Sequence, residues 1–149
     1  MNYSIDLPSL TTLSLGDGSF GNSTIFHLSN LNSFQSFNLG NEMFNLVSSF
    51  KIDGLTSLTS LSIGSNSFTS MKNGFGNDSN KSFHILNCNK LESISIGEYS
   101  FSDYGGEFEL SNLPQLQSIQ IGQLNSNSYN FYYLSNFEIQ SIWIIIWVC

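Results

Sequence analysis

The 149-residue chain reads as a mostly β protein, a solenoid of about five coils with little or no helix. Three observations predict this. An apolar phrase recurs five times, a shorter phrase recurs between its copies, and the composition is poor in helix formers. The chain contains no Ala and no Arg, while Ser, Asn, Gly, Ile and Phe abound, which favours strands joined by turns.

The longer phrase begins as Leu7-x-x-Leu10-x-x-Leu13-x-Leu15-Gly16 and returns as Leu31-x-x-Phe34-x-x-Phe37-x-Leu39-Gly40. Its later copies are Leu55-x-x-Leu58-x-x-Leu61-x-Ile63-Gly64, Cys88-x-x-Leu91-x-x-Ile94-x-Ile96-Gly97 and Leu113-x-x-Leu116-x-x-Ile119-x-Ile121-Gly122. The closing glycines lie 24, 24, 33 and 25 residues apart, a period that marks a stack of similar units. The shorter phrase appears as Phe26-His27-Leu28, Phe50-Lys51-Ile52, Phe83-His84-Ile85 and Phe108-Glu109-Leu110, and Phe137-Glu138-Ile139 opens a sixth coil. Both phrases alternate apolar and polar residues, the period of a strand with one face buried. Asn30, Gly54, Asn87 and Asn112 after the short phrase, and the glycine after the long one, suit turn positions with positive φ.

Length varies in one place. The segments between the strand-closing Gly and the next Phe, such as Asn66 to Ser82, are rich in Gly, Asn, Ser and Asp. A coil can bulge along one edge while the strands keep their spacing, as a solenoid requires. One coil buries too little apolar surface to offset the entropy of ordering it, so stability is expected to be collective. The solenoid is assigned to residues 1–141 and an aberrant apolar tail to residues 142–149. That tail, Ile142-Trp143-Ile144-Ile145-Ile146-Trp147-Val148, is far shorter than the ~20 residues that span a bilayer. It reads as a last strand or as an artefact of where the sequence is cut, ahead of a membrane anchor.

The third copy, Leu58-x-x-Leu61-x-Ile63-x-x-Asn66-x-Phe68, resembles the core segment of a leucine-rich repeat. The glycine after the strand, followed by Ser19-Phe20, Ser67-Phe68 and Ser100-Phe101, is similar to repeats of the bacterial and protist surface-antigen type. The resemblance runs from about Ile5 to Ser141. It implies a leucine-rich-repeat-like solenoid serving as a protein-binding or adhesive surface, without catalytic residues. The family's ladder asparagine is met only by Asn66; Gly18, Glu42, Tyr99 and Leu124 stand at the matching positions. The asparagine ladder is therefore expected to be missing, with β-structure on both sides of a flatter coil.

No chemical motif survives its context. Gly16-Asp17-Gly18-Ser19-Phe20-Gly21 has dinucleotide-loop spacing, but Asn22-Ser23-Thr24-Ile25-Phe26 follows it as turn and strand, and no helix N-terminus faces a pyrophosphate. His27 and His84 occupy the same slot two coils apart, about 10 Å on the ~4.8 Å strand spacing, too far to share a metal. Glu92, Glu98, Asp103, Glu107 and Glu109 crowd one stretch without the Asp-x-Asp-x-Asp-Gly spacing of a calcium loop, and read as a solvated edge. Cys88 replaces a repeat leucine and reads as a small buried hydrophobe. Sequons begin at Asn2, Asn22, Asn77 and Asn80, about the number that this Asn and Ser content produces by chance.

Charged residues are 10% of the chain and the formal charge is −7, with four lysines. Phosphate backbones and anionic membranes both call for clustered cations, so nucleic acid is excluded as a partner class. Met1-Asn2-Tyr3-Ser4 leads into polar sequence, so neither a signal peptide nor a transmembrane segment is read, and the compartment stays open. What remains is the outward face of the main strand: Thr12 and Ser14, Ser36 and Asn38, Ser60 and Ser62, Ser93 and Ser95, Ser118 and Gln120. The reading is a non-catalytic scaffold that takes an unknown protein or glycan on these two columns, with no cofactor and no metal. The alternatives are a purely structural segment of a longer repeat protein and a solvated sheet face. Ice binding favours regular Thr columns, which these are not.

Overall fold

A computed structural model describes residues 7, 9–124 and 126–140. Ten strands occur in chain order: β1 (Thr12–Leu15), β2 (Ile25–Ser29), β3 (Ser36–Leu39), β4 (Ser49–Asp53), β5 (Ser60–Ile63), β6 (Ser82–Leu86), β7 (Ser93–Ile96), β8 (Glu107–Ser111), β9 (Ser118–Ile121) and β10 (Asn136–Gln140). They form two five-stranded parallel sheets, β1-β3-β5-β7-β9 and β2-β4-β6-β8-β10, so every coil gives one strand to each. The protein is a β-solenoid of about five turns, with no helix among the described residues. The apolar tail lies outside the described residues.

Each phrase of the sequence has a distinct structural job. Leu-x-x-Leu is a turn: the amides of Phe34, Leu58, Leu91 and Leu116 each donate to the carbonyl three residues earlier at 3.1, 3.1, 3.1 and 3.2 Å. The alternation that follows enters the first sheet, with Leu13, Phe37, Leu61, Ile94 and Ile119 stacked in register. The short phrase enters the second sheet, where Phe26, Phe50, Phe83, Phe108 and Phe137 share one column. Successive rings of that column stack at 4.8 to 5.2 Å, with Phe50 and Phe83 only 4° from parallel.

A second Phe ladder, Phe20-Phe44-Phe68-Phe101-Phe131, runs beside the first at similar spacing. It meets the first edge-on, as at Phe50–Phe68, where the rings are 5.0 Å apart at 84°. Parallel stacking along the axis and edge-to-face contact across it suit the ring quadrupole, so the core gains aromatic energy beyond buried area. Three of these rungs follow the Ser-Phe phrase; Phe44 and Phe131 follow Met43 and Asn130 instead.

The closing glycines line up along the stack, for a reason other than the expected one. Gly16, Gly40, Gly64 and Gly97 do not have positive φ; among the five only Gly122 does, at 73°. A Cβ on Gly64 would lie 2.5 Å from the carbonyl oxygen of Gly40, and one on Gly97 would lie 2.6 Å from the carbonyl carbon of Gly64. At Gly40, Gly64 and Gly97 glycine is required by the close approach of successive backbones. The short-phrase turns do match expectation, with Asn30, Gly54, Asn87 and Asn112 at φ 61, 70, 55 and 55°.

The long third coil bulges along the edge that joins the first sheet to the second. Its extra residues are stitched to the next coil: Gly76 N donates to Ser102 O at 3.1 Å, Asp78 N to Asp103 O at 2.9 Å, and Gly105 N to Asp78 O at 3.0 Å. The bulge thus leans on its neighbour instead of leaving it untouched.

Candidate functional site

The alternation that buries the apolar residues of the first sheet turns the intervening ones outward. Thr12, Ser36, Ser60, Ser93 and Ser118 form one register column, and Ser14, Asn38, Ser62, Ser95 and Gln120 the other. All ten sequence-predicted face residues therefore sit side by side on one parallel sheet. Neighbours along a column are about 4.8 Å apart and the columns about 7 Å apart. Side chains on the three middle strands are half-buried, except for exposed Asn38, and those on the terminal strands are exposed.

Identical short side chains held in register are too far apart to bond directly, because a hydroxyl hydrogen bond needs about 3 Å or less. Two side-chain bonds occur on the face: Asn38 Nδ2 donates to Ser36 Oγ at 3.2 Å, and Gln120 Nε2 to the Gly122 carbonyl at 3.4 Å. The other seven side chains have no side-chain hydrogen bond among the described residues. Their hydroxyls stand ready for water or a ligand, and no charge falls on either column.

No protein-family model matches the chain, and no curated protein or solved structure is significantly similar to it. The site is therefore read from its own chemistry.

The outward face of the second sheet is different in kind. Its central column runs His27, Lys51, His84, Glu109, Glu138, so Lys51 separates the two histidines as their spacing predicted. His27 Nε2 and Ser49 Oγ are 2.9 Å apart, and His84 Nδ1 lies 3.2 Å from Glu109. Partial burial, Lys51 and His84 all lower the His27 pKa, since each disfavours the imidazolium. No group of three or more His, Cys, Asp or Glu residues suited to a metal occurs among the described residues.

The acidic stretch is not one solvated edge. Glu107 and Glu109 belong to β8, and Glu98 accepts from Ser126 Oγ at 2.9 Å. Asp103 is buried at 4% exposure and pairs with the equally enclosed Lys81 at 2.8 Å. Burial pushes the Asp103 carboxyl pKa up, but hydrogen bonds from Lys81 and Ser70 and the charge of Lys81 more than offset this, leaving it below the usual value. A sequence separation of 22 residues hid this pair from any local pattern.

Cys88 is buried, and its Sγ lies 3.3 Å from the Leu86 carbonyl. Burial pushes the thiol up to about 11, the state of an inert core cysteine. The Gly16–Gly21 loop joins β1 to β2 with no helix after it.

One feature of the interior escaped the sequence reading. The residues at the expected ladder positions Gly18, Glu42, Asn66 and Tyr99 are left-handed, at φ 71, 58, 55 and 59°, and Tyr129 at 49°, not Leu124, takes the fifth place. The ladder itself lies one residue further on. Ser67 Oγ donates to Gly40 O at 3.0 Å, Ser100 Oγ to Gly64 O at 2.6 Å, and Asn130 Nδ2 to Gly97 O at 2.7 Å. The amides of Met43 and Ser67 donate back to Ser67 and Ser100 Oγ at 3.2 and 3.0 Å. Ser67, Ser100 and Asn130 thus tie the third, fourth and fifth coils each to the one before it, and the recurring Ser-Phe phrase was the signal for the two serines.

Proposed function

We propose that the chain is a leucine-rich-repeat-like, non-catalytic scaffold that binds a protein partner through the outward face of its first sheet. The observation that carries this reading is the pair of five-residue columns, seven of whose side chains have no side-chain hydrogen bond among the described residues. Such a surface loses little entropy on binding, because Ser and Thr side chains are short and the sheet holds them in place. With no charge on it, the face suits an uncharged, hydrogen-bonding partner surface. The Leu-x-x-Leu turn and strand phrase, the surface-antigen-like Ser-Phe repeats and the solenoid architecture support the family reading and the adhesive role that goes with it.

The same free hydroxyls favour a second reading, a glycan on this face. One experiment separates the readings. Wild-type protein and a Ser60→Lys/Ser93→Lys variant serve as baits for purified candidate proteins and for a glycan array. A protein ligand that the variant loses, with its circular-dichroism melting curve unchanged, supports the proposal. Ligands held equally by both baits would remove the face as the site, and loss confined to glycans would favour the second reading.

A further inference from the structure

Five aromatic rings gather on the edge that carries the long bulges. Phe75, from the third coil's bulge, lies 5.0, 4.8 and 5.9 Å from the rings of Tyr129, Tyr132 and Tyr133, and Tyr99 reaches Tyr129 at 5.9 Å. Phe75, Tyr132 and Tyr133 are 40, 53 and 46% exposed. Leu46, Met71 and Leu124 are also exposed along this edge, but rings drawn from three coils meet here in one exposed cluster, and such a patch points to a binding role. Tyr amid Ser, Asn and Gly is also the composition of rigid, low-entropy recognition loops.

Charge selects the partner. The turns along this edge hold five carboxylates, Asp17, Glu42, Asp78, Glu98 and Asp103, against two lysines, Lys72 and Lys81, a net of −3. Both lysines are already occupied, Lys72 by Glu42 at 2.6 Å and Lys81 by Asp103 at 2.8 Å. Among the described residues the turns along the opposite edge carry only Lys90 and Glu92 and are neutral. We infer that the aromatic edge docks an arginine-bearing segment of a partner protein, with guanidinium groups stacked on the outer ring faces and Glu98, beside Tyr99, as a counter-charge. The rings touch one another, so no gap between them admits a small ammonium ion. A planar guanidinium can lie on an outer face instead.

This surface is independent of the strand face, and the test keeps the two apart. A Gly/Ser peptide bearing three arginines, its glutamine counterpart and chitohexaose are titrated into the full chain by calorimetry at low and moderate salt. The arginine peptide is expected to bind, more weakly as salt rises, and the glutamine peptide not to. Tyr132→Ser/Tyr133→Ser and, separately, Glu98→Gln should each weaken binding about fivefold or more, while Ser60→Lys/Ser93→Lys leaves it unchanged. Equal binding of the two peptides, or wild-type affinity in the tyrosine variant with its fold intact, overturns the inference. Binding of chitohexaose alone would make the edge a saccharide platform and overturn it too.

Discussion

The two sheets are built alike inside and differ outside. Both receive one strand per coil, and both stack apolar columns in register into one shared core. Outward, the first presents Ser, Thr, Asn and Gln without a charge, while the second presents His27, Lys51, His84, Glu109 and Glu138 in one column. The lesson is that the repeat constrains only the inward positions. Burial between rungs selects their size and hydrophobicity, whereas outward positions are free to diverge or to be held uniform. A uniform neutral column maintained over five coils, beside a column that varies, is what a recognition role on the first sheet would leave behind.

The largest effect should come from breaking what the sheets share. Phe83 is fully buried, stacked on Phe50 and Phe108 and edge-on to Phe101. Phe83→Ala is expected to cost about 3–5 kcal/mol, and Ile94→Ala on the opposite sheet about 2–5 kcal/mol. Ser60→Ala and Glu109→Gln, on the two outer faces, should each stay within about 0.5 kcal/mol. Urea denaturation of the four variants measures this. An outer-face change as costly as an interior one would mean that the faces, too, are structural.

A smaller effect sharpens the role of the glycines within the first sheet's turns. Gly64 closes the third copy of the phrase, and its Cβ would strike the backbone of Gly40. Gly16 closes the first copy, has no atom within 4 Å of its Cβ position and does not have positive φ. Gly64→Ala should therefore destabilise by about 1–3 kcal/mol through forced backbone separation. Gly16→Ala should be neutral or slightly stabilising, since alanine loses less entropy on folding. Equal costs in thermal melts would show that turn conformation, not rung spacing, is what the glycines supply.

Much of this was legible in the sequence because a parallel in-register stack converts a spacing into a position. Once Leu61 and Ile94 are recognised as equivalent, Ser62 must sit beside Ser95, and the outward columns follow without any coordinate. Features that depend on approach between coils were less visible. Gly64 and Gly97 look like turn glycines in one dimension, and only stacking reveals them as spacers. Glu42 and Tyr99 adopt positive φ although nothing in their side chains favours it, because hydrogen bonds such as Glu42 N to Ser65 O at 2.9 Å hold them there. The aromatic edge and the Lys81–Asp103 pair lie in bulges of unequal length, where the repeat offers no register and residues meet only through the fold.

The smallest effect concerns acidity and belongs to the second sheet alone. Histidine is the side chain that ordinarily titrates between pH 5 and 8. The chain has two, and both stand on that sheet's outward column. His27 loses a proton more readily when folded than its ordinary value of 6.5, through partial burial, Lys51 and His84. A lowered folded pKa means that the unfolded chain binds the proton first as pH falls. The stability contributed by neutral His27 is therefore present above about pH 6.5 and is lost as pH drops through its folded value. Melting temperatures measured from pH 7.5 to 5 should show a shallow decline that His27→Gln flattens. The decline should persist in Ser60→Lys/Ser93→Lys, because the first sheet offers no group that titrates there. Were the slope unchanged in His27→Gln, the charged column would be electrically inert, and the contrast between the two faces would be one of composition without consequence for stability.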